Sequence, residues 1–230
     1  MHHTPITGYS DPPSQAPWAM QLIINVDKTH PPTRTSACQS VATAVVALLD
    51  DERCQPGGPW QQPVARWSAG RIRKHVRRAR ASAWQSTHNV PGITVTVGHT
   101  QVRALVPGPV DAIPPMIAKL QLSGLHLPDP NPHVVLPAVT PGTLLIAVTP
   151  EPRLSDGKAA AAAGHAAQLA AANVGTTTAE HWKRAGYPMV VIQPDQHLWN
   201  NCVAHADVTV TDAGFTEVVG GTVTACATRQ

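Results

Sequence analysis

Lys158, His165 and Asp212 are the residues whose type and spacing best suit them to carry protons or stabilise charge. In the run 155–170, Lys158, Ala162, His165 and Leu169 fall at 0, +4, +7 and +11, so they share one helix face. The rest of the run is alanine and glycine, which suits close packing on a sheet. Ser155 or Asp156 can cap the start, where unpaired backbone N–H groups give Lys158 a polar setting. Further on, Asp212 is followed by Ala213 and Gly214, which leave its carboxylate uncrowded, and Thr216 adds a hydroxyl within reach. Taken singly, each has a plain structural explanation: an Asx-turn for Asp212, a loop-bonding lysine, a satisfied buried histidine.

The elements that must position these residues alternate between strand and helix. An apolar strand at 143–148 leads through a loop with Pro150 and Pro152 into the helix 158–173. A short helix at 178–185, a buried strand at 188–192, a helix at 195–204 and a strand at 208–210 follow. The Asp212 loop then precedes a last strand at 223–227. This order predicts an α/β fold, a three-layer α/β/α arrangement with a mixed β-sheet, whose functional groups gather at strand ends.

The first half shows a fainter version of the same order. A strand at 19–26, a loop with Pro31 and Pro32 and a helix at 36–49 match the second half at a constant offset of 122, with Val26 over Val148 and Ala37 over Ala159. An internal duplication is expected, two related halves forming a pseudo-dimer in one chain. At that offset Ser36 stands in place of Lys158 and Thr43 in place of His165. A hairpin around Gly98-His99 spans 92–106, and a short helix is expected at 114–122. The expected division is a degenerate half at 1–126, a proline-rich linker at 127–142 and a complete domain at 143–230.

Between the loop 55–63 and the hairpin lies 66–84, which carries Arg66, Arg71, Arg73, Lys74, Arg77, Arg78 and Arg80 with no acid among them. Ile72, Val76, Ala79 and Ala83 fall at 0, +4, +7 and +11, which predicts an amphipathic helix with a basic outer face. A face of one sign fits a phosphate backbone, with Arg71, Arg73, Lys74, Arg77, Arg78 and Arg80 as its contacts. Trp67 and Trp84 read as anchors into the core.

Composition narrows the classes. Aromatics make up 4% and there are 23 prolines, as in a compact protein with proline-marked joints. Lys and Arg number twelve against seven Asp and Glu up to Thr143, and five against seven thereafter, so the net charge of +3 belongs to the first half. No apolar run reaches the length of a membrane span and no secretory pattern opens the chain, so a cytoplasmic protein without a membrane partner is expected. Cys38, Cys54, Cys202 and Cys226 form no close pair, which predicts buried thiols, no zinc or other metal, and no disulfide framework.

Taken together, Gly157-Lys158-x-Ala-Ala-x-x-Gly164-His165-Ala166, Trp182 with Gly186 ahead of a strand, Asp212-Ala-Gly-x-Thr216, and Gly221-Thr222 before a final strand resemble the peptidyl-tRNA hydrolase type 2 family. The resemblance covers about 143–227. It implies metal-free hydrolysis of the ester joining a peptide or N-blocked amino acid to tRNA, with peptidyl-tRNA as partner and no cofactor. It also implies catalytic roles for Lys158, Asp212, His165 and Thr216, and substrate contacts by Gly157, Gly214 and Thr222. Ester hydrolysis needs an oriented water, a task for Asp212, and a stabilised oxyanion, a task for Lys158 at its helix start. The family's domains often pair, so the fused halves, or a further homo-oligomer, follow from it too. The chain departs from the pattern at Ala162, usually glutamine, at Phe215, usually polar or basic, and at Gly220, usually proline. Loss of the glutamine points to the alternative, an RNA-binding pseudo-enzyme that keeps the fold.

Overall fold

Two helices of seventeen residues, α1 (Arg34–Asp50) and α5 (Asp156–Ala172), lie against each other at the centre of the molecule. In this computed structural model, which describes residues 16–129, 139–214 and 217–230, each helix is covered by a sheet of its own. Glycine and alanine make the close approach possible. A methyl group added at Gly164 would stand 3.2 Å from Val45 and 3.3 Å from Val41.

The first sheet contains β1 (Trp18–Asn25), β2 (Arg73–Ala79), β3 (Gly92–Val97) and β4 (Thr100–Leu105) in the order β2-β1-β4-β3, with the two-residue β5 (Gly108–Pro109) beside β1. The second contains β6 (Leu144–Val148), β7 (Met189–Ile192), β8 (Val208–Thr211) and β9 (Val223–Arg229) in the order β7-β6-β9-β8. In each, the first pair is parallel and the other two are antiparallel. The remaining helices also correspond. α2 (Gln61–Ser68) and α3 (Ala81–Ser86) flank β2 as α6 (Thr176–Arg184) and α7 (Gln196–Ala204) flank β7, while α4 (Pro115–Ala118) belongs to the first half alone. The fold is thus α/β, built from two halves of like topology.

Strand alternation sets the layers, because successive side chains point to opposite faces. Leu22, Ile24, Leu144 and Ile146 face the paired helices and join one apolar cluster that runs through both halves. Ile23 faces outward to Trp84 and Ile117, and Ala147 to Trp199. Each half therefore has an inner helix, a sheet and an outer helical layer. The inner helices also cross over: α1 reaches β7 and α5 reaches β2. Start of the proline-rich segment is tied to this junction, for Leu127 is buried and Asp129 accepts hydrogen bonds from the backbone and hydroxyl of Thr35. Of the expected linker, 130–138 lies outside the described residues.

One expected element is overturned. The span 66–84 is not a basic helix but the end of α2, the strand β2 and most of α3. Left-handed backbone at Ile72 (φ 45°) and Ala81 (φ 49°) interrupts the chain on either side of β2. Between them, all seven residues of β2 pair with Ala19–Asn25 of β1. The cross-strand ladder, supplied by a distant segment, outweighs the local helical spacing of Ile72, Val76 and Ala79. Cys38, Cys54 and Cys226 are buried free thiols, and Cys202 is half-buried.

Candidate functional site

Ser155 starts α5, its hydroxyl accepting the Lys158 N–H at 3.3 Å. Ser155, not Asp156, is thus the cap. Lys158 is one turn into the helix, and its ammonium pairs with the Asp212 carboxylate; the side chains are 21% and 12% exposed. This places the two groups at the protein surface, in contact with each other and within reach of solvent.

Asp212 follows the end of β8. Its Oδ1 accepts the Gly214 N–H at 2.8 Å, an Asx-turn, while Oδ2 faces Lys158. The Asx-turn therefore occupies one carboxylate oxygen and leaves the other to the lysine. Backbone bonds from Asp212 N–H to Thr222 C=O (2.8 Å) and from Gly221 N–H to Asp212 C=O (2.9 Å) pinch the loop shut. Gly214 is required there, with φ +81° and a position where a methyl group would stand 2.6 Å from the Gly220 nitrogen.

Glu217, which no sequence motif singled out, locks the loop to the helix. Its carboxylate accepts the Ser155 N–H at 2.9 Å and the Ser155 hydroxyl at 2.6 Å. A negative group near a helix N-terminus is favoured by the unpaired N–H groups and the helix dipole. The signal was absent because the contact joins residues 62 positions apart.

The other expected site residues divide. Thr222 lies beside the loop, its hydroxyl donating to Val219 C=O at 2.7 Å. Gly157 faces Val76 of the other half, 3.9 Å from where its Cβ would be, so it acts in packing. His165 meets the other half of the chain, its Nδ1 3.1 Å from the Lys74 Nζ. Burial, aided by the charges of Lys74 and Lys158, holds the imidazole well below its usual pKa. Thr216 lies outside the described residues.

The six expected tRNA-binding residues do not form one surface. Lys74 is buried and bonds His165 and Gln168, and burial holds its amine well below the usual lysine range. Arg77 is buried too, with Nε donating to Gln21 at 2.8 Å and a terminal nitrogen to Leu120 C=O at 2.7 Å. Arg73 is half-buried, and only Arg71, Arg78 and Arg80 are exposed. Long cations in a strand here meet internal acceptors, which the charge run alone gives no sign of.

The first half carries a reduced copy of the site. Thr33 caps α1 as Ser155 caps α5, and Ser36 stands where Lys158 does. Its hydroxyl accepts from Thr100, at the hairpin end of β4, at 2.9 Å. A pair of neutral hydroxyls thus replaces the ion pair. Among the described residues, no group of three or more His, Cys, Asp or Glu gathers to hold a metal ion, and no helix is long and apolar enough to cross a membrane.

Comparison with known proteins finds no matching family model and no curated protein of significant similarity.

Proposed function

We propose that this chain is a hydrolase that cleaves the ester between a peptide, or an N-blocked amino acid, and tRNA. The observation that carries the reading is the Lys158–Asp212 pair, held at the partly exposed meeting of a helix start and a strand end. In this reading Asp212 orients the attacking water, and Lys158 stabilises the negative charge that develops on the ester oxygen. The Asx-turn and Glu217 support it by fixing both partners in place before substrate arrives. Arg71, Arg78 and Arg80, exposed on the first half, contribute contacts to the tRNA backbone. His165 supports the helix from the junction and takes no part in the water's activation.

The test is incubation of the purified chain with an N-acetylated aminoacyl-tRNA at low and moderate salt. Release of the acyl group is expected, slowing as salt weakens the backbone contacts. Salt-sensitive binding with the ester left intact contradicts hydrolysis and leaves RNA binding alone.

A further inference from the structure

Beyond the last turn of α5, where β6 begins and β9 ends, there is a cavity of about 390 Å³. Leu144, Ala170, Val174 and Val208 give it apolar walls, while Asp207 and Arg229 bring opposite charges to it. Arg229 continues the row of Ala225 and Ala227, which faces α5. Its guanidinium lies 5.6 Å from the centre of the Trp182 ring. The Arg229 Nε is buried and has no hydrogen-bond partner among the described residues. Nε presents no surface that an incoming oxygen could touch, so what Arg229 offers to the cavity it lines is the charge and the terminal N–H groups of a half-exposed side chain. Asp207 bonds the backbone of Arg229 and not its side chain, its Oδ2 accepting the Arg229 N–H at 2.7 Å.

The first half shows that the fold does not require this arrangement. Leu48 occupies the place in α1 that Ala170 occupies in α5, at the offset of 122. Ala104 faces Leu22 across β4 and β1 as Arg229 faces Leu144 across β9 and β6. Leu48 and Ala104 are both fully buried, so apolar packing completes this place in the first half. The second half has a small residue on the helix and a cation on the strand. That exchange opens space and puts a cation at its edge.

We infer that this cavity is a binding site for a small organic monocarboxylate with a short aliphatic body. A guanidinium offers planar N–H donors that match a carboxylate, and four apolar side chains take the aliphatic part. The Asp207 carboxylate beside it disfavours a doubly charged anion such as phosphate. Ala170 stands roughly 18 Å along α5 from Lys158, at 1.5 Å per residue, so the site is separate from the proposed hydrolytic pair and does not rest on it.

The test is calorimetric titration of the full chain with 4-methylpentanoate, and with inorganic phosphate for comparison. Saturable binding of one carboxylate per chain is expected. Affinity falls at least about tenfold in Arg229→Gln, which removes the charge, and in Ala170→Leu, which refills the space as Leu48 does. Thermal unfolding of each variant establishes that it is folded; if Arg229→Gln is not, Ala170→Leu decides. Absence of saturable carboxylate binding to the unaltered chain overturns the inference. So does phosphate binding of equal affinity, or undiminished carboxylate binding by Ala170→Leu.

Discussion

Arg34 and Asp156, the first residues of α1 and α5, pair with each other across the junction of the two halves, and both are buried. They occupy equivalent positions 122 residues apart. The pair is further satisfied on both sides: Arg34 donates to Leu154 C=O at 2.9 Å, and Asp156 accepts the Leu127 N–H. Opposite charges at matched positions thus fasten one copy to the other at the foot of the paired helices.

Removing one partner leaves the other charge buried and unpaired. Arg34→Ala or Asp156→Ala is therefore expected to lower stability by about 3–5 kcal/mol. The double replacement Arg34→Met with Asp156→Leu costs less than either single change, because no orphaned charge remains. Urea denaturation of the three variants measures this, and a double variant as unstable as the two losses added together contradicts it.

Acid weakens the junction at a second place. Burial holds the His165 imidazole well below its ordinary value of 6.5, so the unfolded chain binds that proton more readily than the folded one. Stability contributed by neutral His165 is complete above the ordinary value and falls as pH drops below it, until the folded imidazole is protonated too. His165→Gln keeps an acceptor near Lys74 and removes the titration. Between about pH 7.5 and about pH 5, the denaturation midpoint of the unaltered chain should fall further than that of the variant. Equal slopes count against the assignment.

Glu217 is expected to act on hydrolysis through position. Glu217→Ala frees the loop from Ser155 and lets Asp212 drift from Lys158. The rate of ester cleavage then falls by up to about a hundredfold, since a misplacement of 1 Å can cost that much. Glu217→Gln, which keeps one acceptor for Ser155, recovers part of it. Single-turnover rates of the two variants decide, and equal rates for Glu217→Ala and the unaltered chain oppose this role.

Matched tryptophans provide a test of the duplication. The Trp67 indole N–H donates to Arg73 C=O at 2.9 Å, and the Trp182 indole N–H donates to Pro188 C=O at 3.1 Å, each just ahead of or at the start of its strand. Trp67→Phe and Trp182→Phe should each cost about 1 kcal/mol for the lost bond, with a carbonyl left wanting a donor. Unfolding measurements showing a loss in only one half speak against equivalent roles.

In the second sheet β6 and β7 were legible as short apolar runs close to prolines, while β8 and β9, which carry threonines, were legible from the aspartates and glycines beside them. The duplication was legible in the helix offset, and more strongly in a signal that the offset misses: Trp67 and Trp84 recur as Trp182 and Trp199 with the same separation. Strand β2 was not legible, since Ile72, Val76 and Ala79 mimic helical spacing and the partners of Lys74 and Arg77 lie far away in sequence. The helix that carries His165 is legible in the sequence, but the neighbour that defines its environment, Lys74, comes from the other half. Lys158 and Asp212 were singled out by type and setting, and their contact is a product of the fold.

Asp212→Asn tests the central claim most directly. It keeps the size of the side chain and an oxygen for the Gly214 N–H, but removes the charge that faces Lys158 and that, in the proposed reaction, orients water. Acyl release from N-acetylated aminoacyl-tRNA is predicted to fall by about a hundredfold or more, with tRNA binding retained. Release at the unaltered rate contradicts the account.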